Sequence, residues 1–161
     1  MARRGRPIHS AVSGVQRDMK VPRARYKRIL GSMPLLCVDG VIRNSRGEVL
    51  LVKRNNEPLK NRWWVPGGRV LKGETLERAF RRKMREELGV RVGALRRLGY
   101  FEAAKMPHPG IGAYGGRLHS VSIIFEAHMD LTEVALDSQS SDWGYFEQLP
   151  AQFKIQSFDP D

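Results

Sequence analysis

Glu86 and Glu87 close a stretch that reads as one helix, from Thr75 to Leu88, and two acids are an odd choice there. The last turn of a helix carries the negative end of its dipole, where a carboxylate is disfavoured. Leu76, Phe80, Met84 and Leu88 recur every four residues and mark the stripe that faces a core. At about 100° per residue, Glu87 falls within roughly 20° of Phe80, on that apolar side. A carboxylate so placed needs a cation. One candidate is Mg²⁺, a hard ion that takes oxygen ligands. The other is an ordinary ion pair, since Arg82 stands four residues before Glu86 and Lys83 four before Glu87. Thr75 reads as the N-cap and Gly89 as the C-terminal stop, with Pro66-Gly67-Gly68 as a glycine turn leading in. Glu74 and Arg82 read as a structural pair across the start of the helix.

The spacing has a known counterpart. From Gly68 the chain reads G-x5-E-x7-R-K-M-R-E-E-L-G-V, which resembles the Nudix box, G-x5-E-x7-R-E-U-x-E-E-x-G-U with U aliphatic. Gly68, Glu74, Arg82, Met84, Glu86, Glu87, Gly89 and Val90 match; Lys83 departs, standing where the box has Glu. One branch of that family, the GDP-mannose mannosyl hydrolases, resembles the chain from Met33 to Phe146. The segments that carry this likeness are P-L-L-C-V-D, N-S-R-G-E, K-R-N-N-E-P, W-W-V-P-G-G-R-V and E-T-L-E-R-A-F.

The resemblance implies an α+β protein, an α/β/α sandwich in which the motif helix packs on a mixed sheet. It also implies a Mg²⁺-dependent hydrolase of nucleoside diphosphate sugars of the GDP-mannose or GDP-glucose type, with Mn²⁺ as an alternative ion. Water would attack the anomeric carbon and the nucleoside diphosphate would leave. By the same likeness Glu87, the carbonyl of Gly67 and the side chain of Gln139 hold the metal, with Glu86 beside them as in the ordinary box. Arg54 and Arg69 contact the diphosphate, a role suited to a planar cation, and Asp39 associates with substrate. Glu87, Glu86, Arg54 and Arg69 make up the catalytic set, and a homodimer is expected. The branch has a His as general base just after the Gln ligand; here Asp137-Ser138-Gln139-Ser140 puts Ser140 there, and an unassisted serine is a poor base near neutral pH. His119 and His108 are the other candidates. Two rival readings stand: ordinary Nudix cleavage at phosphorus, which Glu86-Glu87 favours, and an inactive Nudix-fold binding protein with an RNA-binding arm.

These residues need a scaffold. Pro34–Arg43 and Glu48–Arg54 read as strands joined by a turn at Asn44-Ser45-Arg46-Gly47, and Arg62–Val65 as a third short strand. After the helix come a strand over Arg91–Ala104 with an interruption near Gly99, a glycine- and proline-rich loop at 105–116, and a strand over His119–Met129. A strand over Trp143–Phe146 and a short helix over Leu149–Phe153 complete the expectation. The length of 161 residues suits one domain, 33–161, preceded by a basic arm, 1–32. That arm holds nine Lys/Arg against one acid, Asp18, so eight of the eleven excess positive charges lie in it. Such an arm is either a solvated tail, with residues 1–24 disordered and a short helix around Arg25–Leu30 before Gly31, or a surface for nucleic acid. No apolar run approaches the roughly 18 residues of a membrane span. Cys37, the only cysteine, excludes an intrachain disulfide and a Cys-based zinc site, and a reducing cytoplasm is the expected home.

Overall fold

A computed structural model describes residues 3–4, 21–108 and 116–158. In chain order it contains β1 (Arg3–Arg4), α1 (Arg23–Ser32), β2 (Leu35–Arg43), β3 (Val49–Arg54), β4 (Trp63–Trp64) and β5 (Gly67–Arg69). These are followed by α2 (Leu76–Leu88), β6 (Arg96–Pro107), β7 (Arg117–His128) and β8 (Ser140–Phe146). The strands form one mixed sheet in the order β1-β8-β3-β2-β7-β6, with β4 added to β3 and β5 to β2. β2 and β7 run parallel over nine residue pairs, and the other pairings are antiparallel. This is the expected α+β class.

α2 forms where its caps and its apolar stripe agree. Thr75 Oγ1 accepts the Arg78 N–H at 3.3 Å, and Gly89, at φ +70°, turns the chain out of the helix. Phe80, Met84 and Leu88 are buried against Val38, Ile42, Phe125 and Trp143 on one face of the sheet. Each such side chain contributes about 1.5–3 kcal/mol when fully removed from water. The opposite face buries Val41, Leu51, Trp64, Ile124 and Phe153.

The expected helix over Leu149–Phe153 is not formed; the segment is a turn in which the Phe153 N–H reaches the Pro150 carbonyl. Proline disfavours helical backbone at the residue before it, and five residues are too few to nucleate a helix. Phe153 is instead fixed by packing, with its ring 5.3 Å from Trp64 and 4.8 Å from Phe101. Gly67–Arg69 is not a turn but a strand, paired with Cys37–Asp39 of β2. Residues 91–95 precede β6 rather than opening it, β6 runs on to Pro107, and the interruption near Gly99 is a register shift. The short helix expected around Arg25–Leu30 forms as α1 and is docked rather than free: it packs Leu30 against Leu118 of β7, with Tyr26, Leu35 and Met106 around them. The disorder expected for residues 1–24 falls mostly on residues 1–2 and 5–20, and much of the 105–116 loop on 109–115, all outside the described residues.

Candidate active site

β2 and β3 pair only at Arg43 and Val49 and then part, β2 taking β5 as its neighbour and β3 taking β4. A cleft of about 810 Å³ opens at this end of the sheet. Six of the seven residues singled out from the sequence line it: Asp39 from β2, Arg54 from β3, Gly67 and Arg69 from β5, Glu86 from α2, and Gln139 from the loop before β8. The seventh, Glu87, lies behind Lys83, which does line the cleft.

Glu87 is buried, and its two oxygens have separate partners. Oε1 stands 2.7 Å from Lys83 Nζ and Oε2 accepts the Gly67 N–H at 3.0 Å. Burial raises the Glu87 pKa, and Lys83 and Gly67 work against that rise. Burial would lower Lys83, but Glu87, together with Glu86 and Asp137, more than reverses the effect and its pKa is raised. Asp39 is also buried, and its pKa is pushed up to about 7, by burial and by the nearby Glu87, against a hydrogen bond from Ser122 and the charge of Arg54. β5 must come close to make this arrangement: a Cβ on Gly67 would stand 2.2 Å from Asp39 Oδ1 and 2.3 Å from the Val38 carbonyl, so only glycine fits.

Arg82 braces the loop over this centre. It donates to both oxygens of Glu74 (2.6 and 2.9 Å), to Glu86 at 3.0 Å and to the Arg69 carbonyl at 3.0 Å. The expected Glu74–Arg82 pair is therefore present. Gln139 reaches the cleft, but its side-chain amide donates to Asp137 at 2.8 Å. Arg54 donates through Nε to the Pro58 carbonyl at 2.8 Å.

Of the three candidate bases only His108 lines the cleft. His119 pairs with Glu102 at 3.2 Å, and Ser140 is buried in β8; neither is among the lining residues. Three further residues belong to the site although sequence reasoning gave them no role in it. Lys83 was legible only as a surface pair and is in fact buried. Asp137, two residues from Gln139, acts electrostatically on both Lys83 and Glu87. Tyr26, in the supposed arm, holds the Arg69 guanidinium 4.8 Å from its ring centroid. The Tyr26 phenol is raised by burial, against the pull of Arg69.

Among the described residues no group of three or more His, Cys, Asp or Glu side chains forms a ready metal cage. Mg²⁺ does not require one: it is commonly held by one or two carboxylates, with water and substrate phosphate completing its shell. Asp39 and Glu86 on the cleft, Gly67 beside them, and the Glu87 carboxylate behind Lys83 are oxygen donors of the kind such a hard ion takes.

The NUDIX domain model matches residues 33–159, and the chain belongs to the Nudix family of hydrolases. Over 128 residues, 80% of both chains, it is 39% identical to the low-salt glycan biosynthesis protein Agl8 of Haloferax volcanii. It is 34% identical over 110 residues to an ADP-ribose pyrophosphatase of Methanocaldococcus jannaschii, covering 68% of this chain and 56% of that one. The fold is similar to that of a MutT NUDIX hydrolase from Burkholderia pseudomallei, with a TM-score of 0.62 at 27% identity over 76% of this chain and 91% of the other. No helix among the described residues is long and apolar enough to cross a membrane.

Proposed function

We propose that this Nudix hydrolase acts on nucleoside diphosphate sugars of the GDP-mannose or GDP-glucose type, with water attacking the anomeric carbon and the nucleoside diphosphate leaving. The observation that carries this reading is the shared cleft: Arg54 and Arg69 face the same space as Asp39 and Glu86, with Glu87 just behind. Its volume lies within the range of about 300–1,000 Å³ usual for small-molecule sites. The similarity to a glycan biosynthesis protein supports a sugar-bearing substrate.

In this reading Arg54 and Arg69 grip the diphosphate oxygens, each able to offer two parallel donors. Glu87, with the Gly67 carbonyl, Glu86 and Gln139, would hold Mg²⁺. When bound, the ion neutralises charge on the departing diphosphate. Asp39, with a pKa of about 7, accepts from a sugar hydroxyl when ionised and donates to it when protonated. In this reading His108 takes the proton of the attacking water, which its place on the lining of the cleft supports.

The reaction run in ¹⁸O-water with GDP-mannose and GDP-glucose tests the bond assignment. Label in the free sugar, with intact GDP as the other product, is the expected result. Label in a phosphate, with GMP and a sugar phosphate formed, replaces this reading by cleavage at phosphorus.

Tyr26 bears on the same substrate through Arg69. A cation–π contact of this kind is worth about 0.5–2 kcal/mol. Tyr26→Leu is expected to raise KM for the nucleotide sugar about fivefold, near 1 kcal/mol, with kcat little changed. Tyr26→Phe, which keeps the ring, should restore most of the loss. Equal KM values in the wild type and Tyr26→Leu would remove Tyr26 from the site.

A further inference from the structure

We infer that Lys83 is a built-in counter-cation of the candidate metal centre: its ammonium takes, against Glu87, a position otherwise open to a divalent ion. The inference rests on the metal-dependent reading above and adds to it what the odd residue of the box does. Nζ lies 2.7 Å from Glu87 Oε1 and 3.4 Å from Glu86 Oε2, so one ammonium spans both acids. The side chains of Lys83 and Glu87 are each 8% exposed, unlike a solvated pair on a helix surface. Lys83 lines the cleft and Glu87 does not, which puts the ammonium between the carboxylate and the space a ligand would enter. The second oxygen of Glu87 is engaged by the Gly67 N–H. The path of the lysine stem is built in as well, because a Cβ on Gly68 would come within 2.8 Å of Lys83 Cε. The neighbouring cation, Arg82, cannot take over, since its donors are committed to Glu74, Glu86 and the Arg69 carbonyl. Relative to a glutamate at this position, the lysine moves the local charge by two units toward positive, directly beside the acid expected to bind metal.

The test is Mn²⁺ binding to the full chain, followed by the electron paramagnetic resonance signal of the free ion, in the wild type, Lys83→Met and Lys83→Glu. Lys83→Met is expected to bind Mn²⁺ at least about tenfold more tightly than the wild type, the scale of changing a group that supports a metal ligand. Lys83→Glu is expected to bind an additional ion per chain. Melting temperatures with and without MnCl₂ give a second readout: the ion should stabilise both variants more than the wild type, and should restore folding to a variant that is unfolded without it. Equal affinity, number of ions and thermal shift in all three proteins overturn the inference and leave the hydrolase reading standing. A variant that stays unfolded in MnCl₂ also overturns it, because the ion has then failed to replace the ammonium. No Mn²⁺ binding by any of the three overturns both this inference and the metal-dependent reading.

Discussion

Glu87→Gln is expected to lower turnover at saturating Mg²⁺ by at least about 100-fold, the scale of losing a principal electrostatic contact in a reaction centre. Glutamine keeps the shape of the side chain, and its carbonyl can still accept the Gly67 N–H that now reaches Glu87 Oε2 at 3.0 Å. What it removes is the negative charge, in a place where water contributes little, since Glu87 is only 6% exposed. Lys83 retains Glu86 at 3.4 Å, so the ammonium is not left without an acid and the fold is expected to persist. Steady-state rates over a range of MgCl₂, together with circular dichroism of the variant, make the measurement. Near-normal Mg²⁺-dependent turnover in a folded Glu87→Gln protein would end its assignment as a metal ligand.

Arg82→Ala is expected to produce the largest loss of stability. The Arg82 side chain is 14% exposed, and its guanidinium serves Glu74, Glu86 and the Arg69 carbonyl together. The Glu74 and Glu86 side chains are 20% and 34% exposed, so losing the arginine costs less than breaking a fully buried pair and is expected at about 1.5–3 kcal/mol, the scale of hydrogen bonds to charged groups. Arg82→Lys should recover only part of this, since a single ammonium cannot reproduce a planar fork on both Glu74 oxygens. The loss should depend on pH. Arg82 holds the Glu74 carboxyl below its ordinary value, so the folded pKa lies below the unfolded one. The stabilisation is then fully present above the unfolded value, about 4.3 for glutamate, and is lost as pH falls through the lowered folded value. Urea unfolding should show a large gap between the wild type and Arg82→Ala at pH 7 and a smaller one near pH 3. A gap below about 1 kcal/mol at pH 7, the level of an exposed pair, or one unchanged in acid, would mean that the network does not brace the loop.

Much of the scaffold is local in origin and legible for that reason. The four-residue repeat of Leu76, Phe80, Met84 and Leu88, with Thr75 and Gly89 at its ends, contains the whole of α2, because caps and periodicity act within a few residues of chain. The Glu74–Arg82 pair and the strands β2, β3 and β7 follow from similarly short patterns. The position of Glu87 on the apolar side of its helix, and so its need for a cation, was also present in the spacing. Which cation answers that need was not. Lys83 and Glu87 stand four residues apart whether the pair is solvated or sealed; burial came only when β5 closed over them, pairing Gly67 with Asp39 across 28 positions of chain.

The same holds for Tyr26, which belongs to the cleft only because α1 docks on β7 and sets the ring under Arg69. It holds too for His119 and Ser140, candidates by resemblance that do not line the cleft. Residue types and spacing determined that acids, arginines and a pair of glycines before the helix occur in this chain. The tertiary structure decided which of them meet and which cation each acid sees, because burial and long-range strand pairing set the strength of a charge, and neither is a property of neighbouring residues alone.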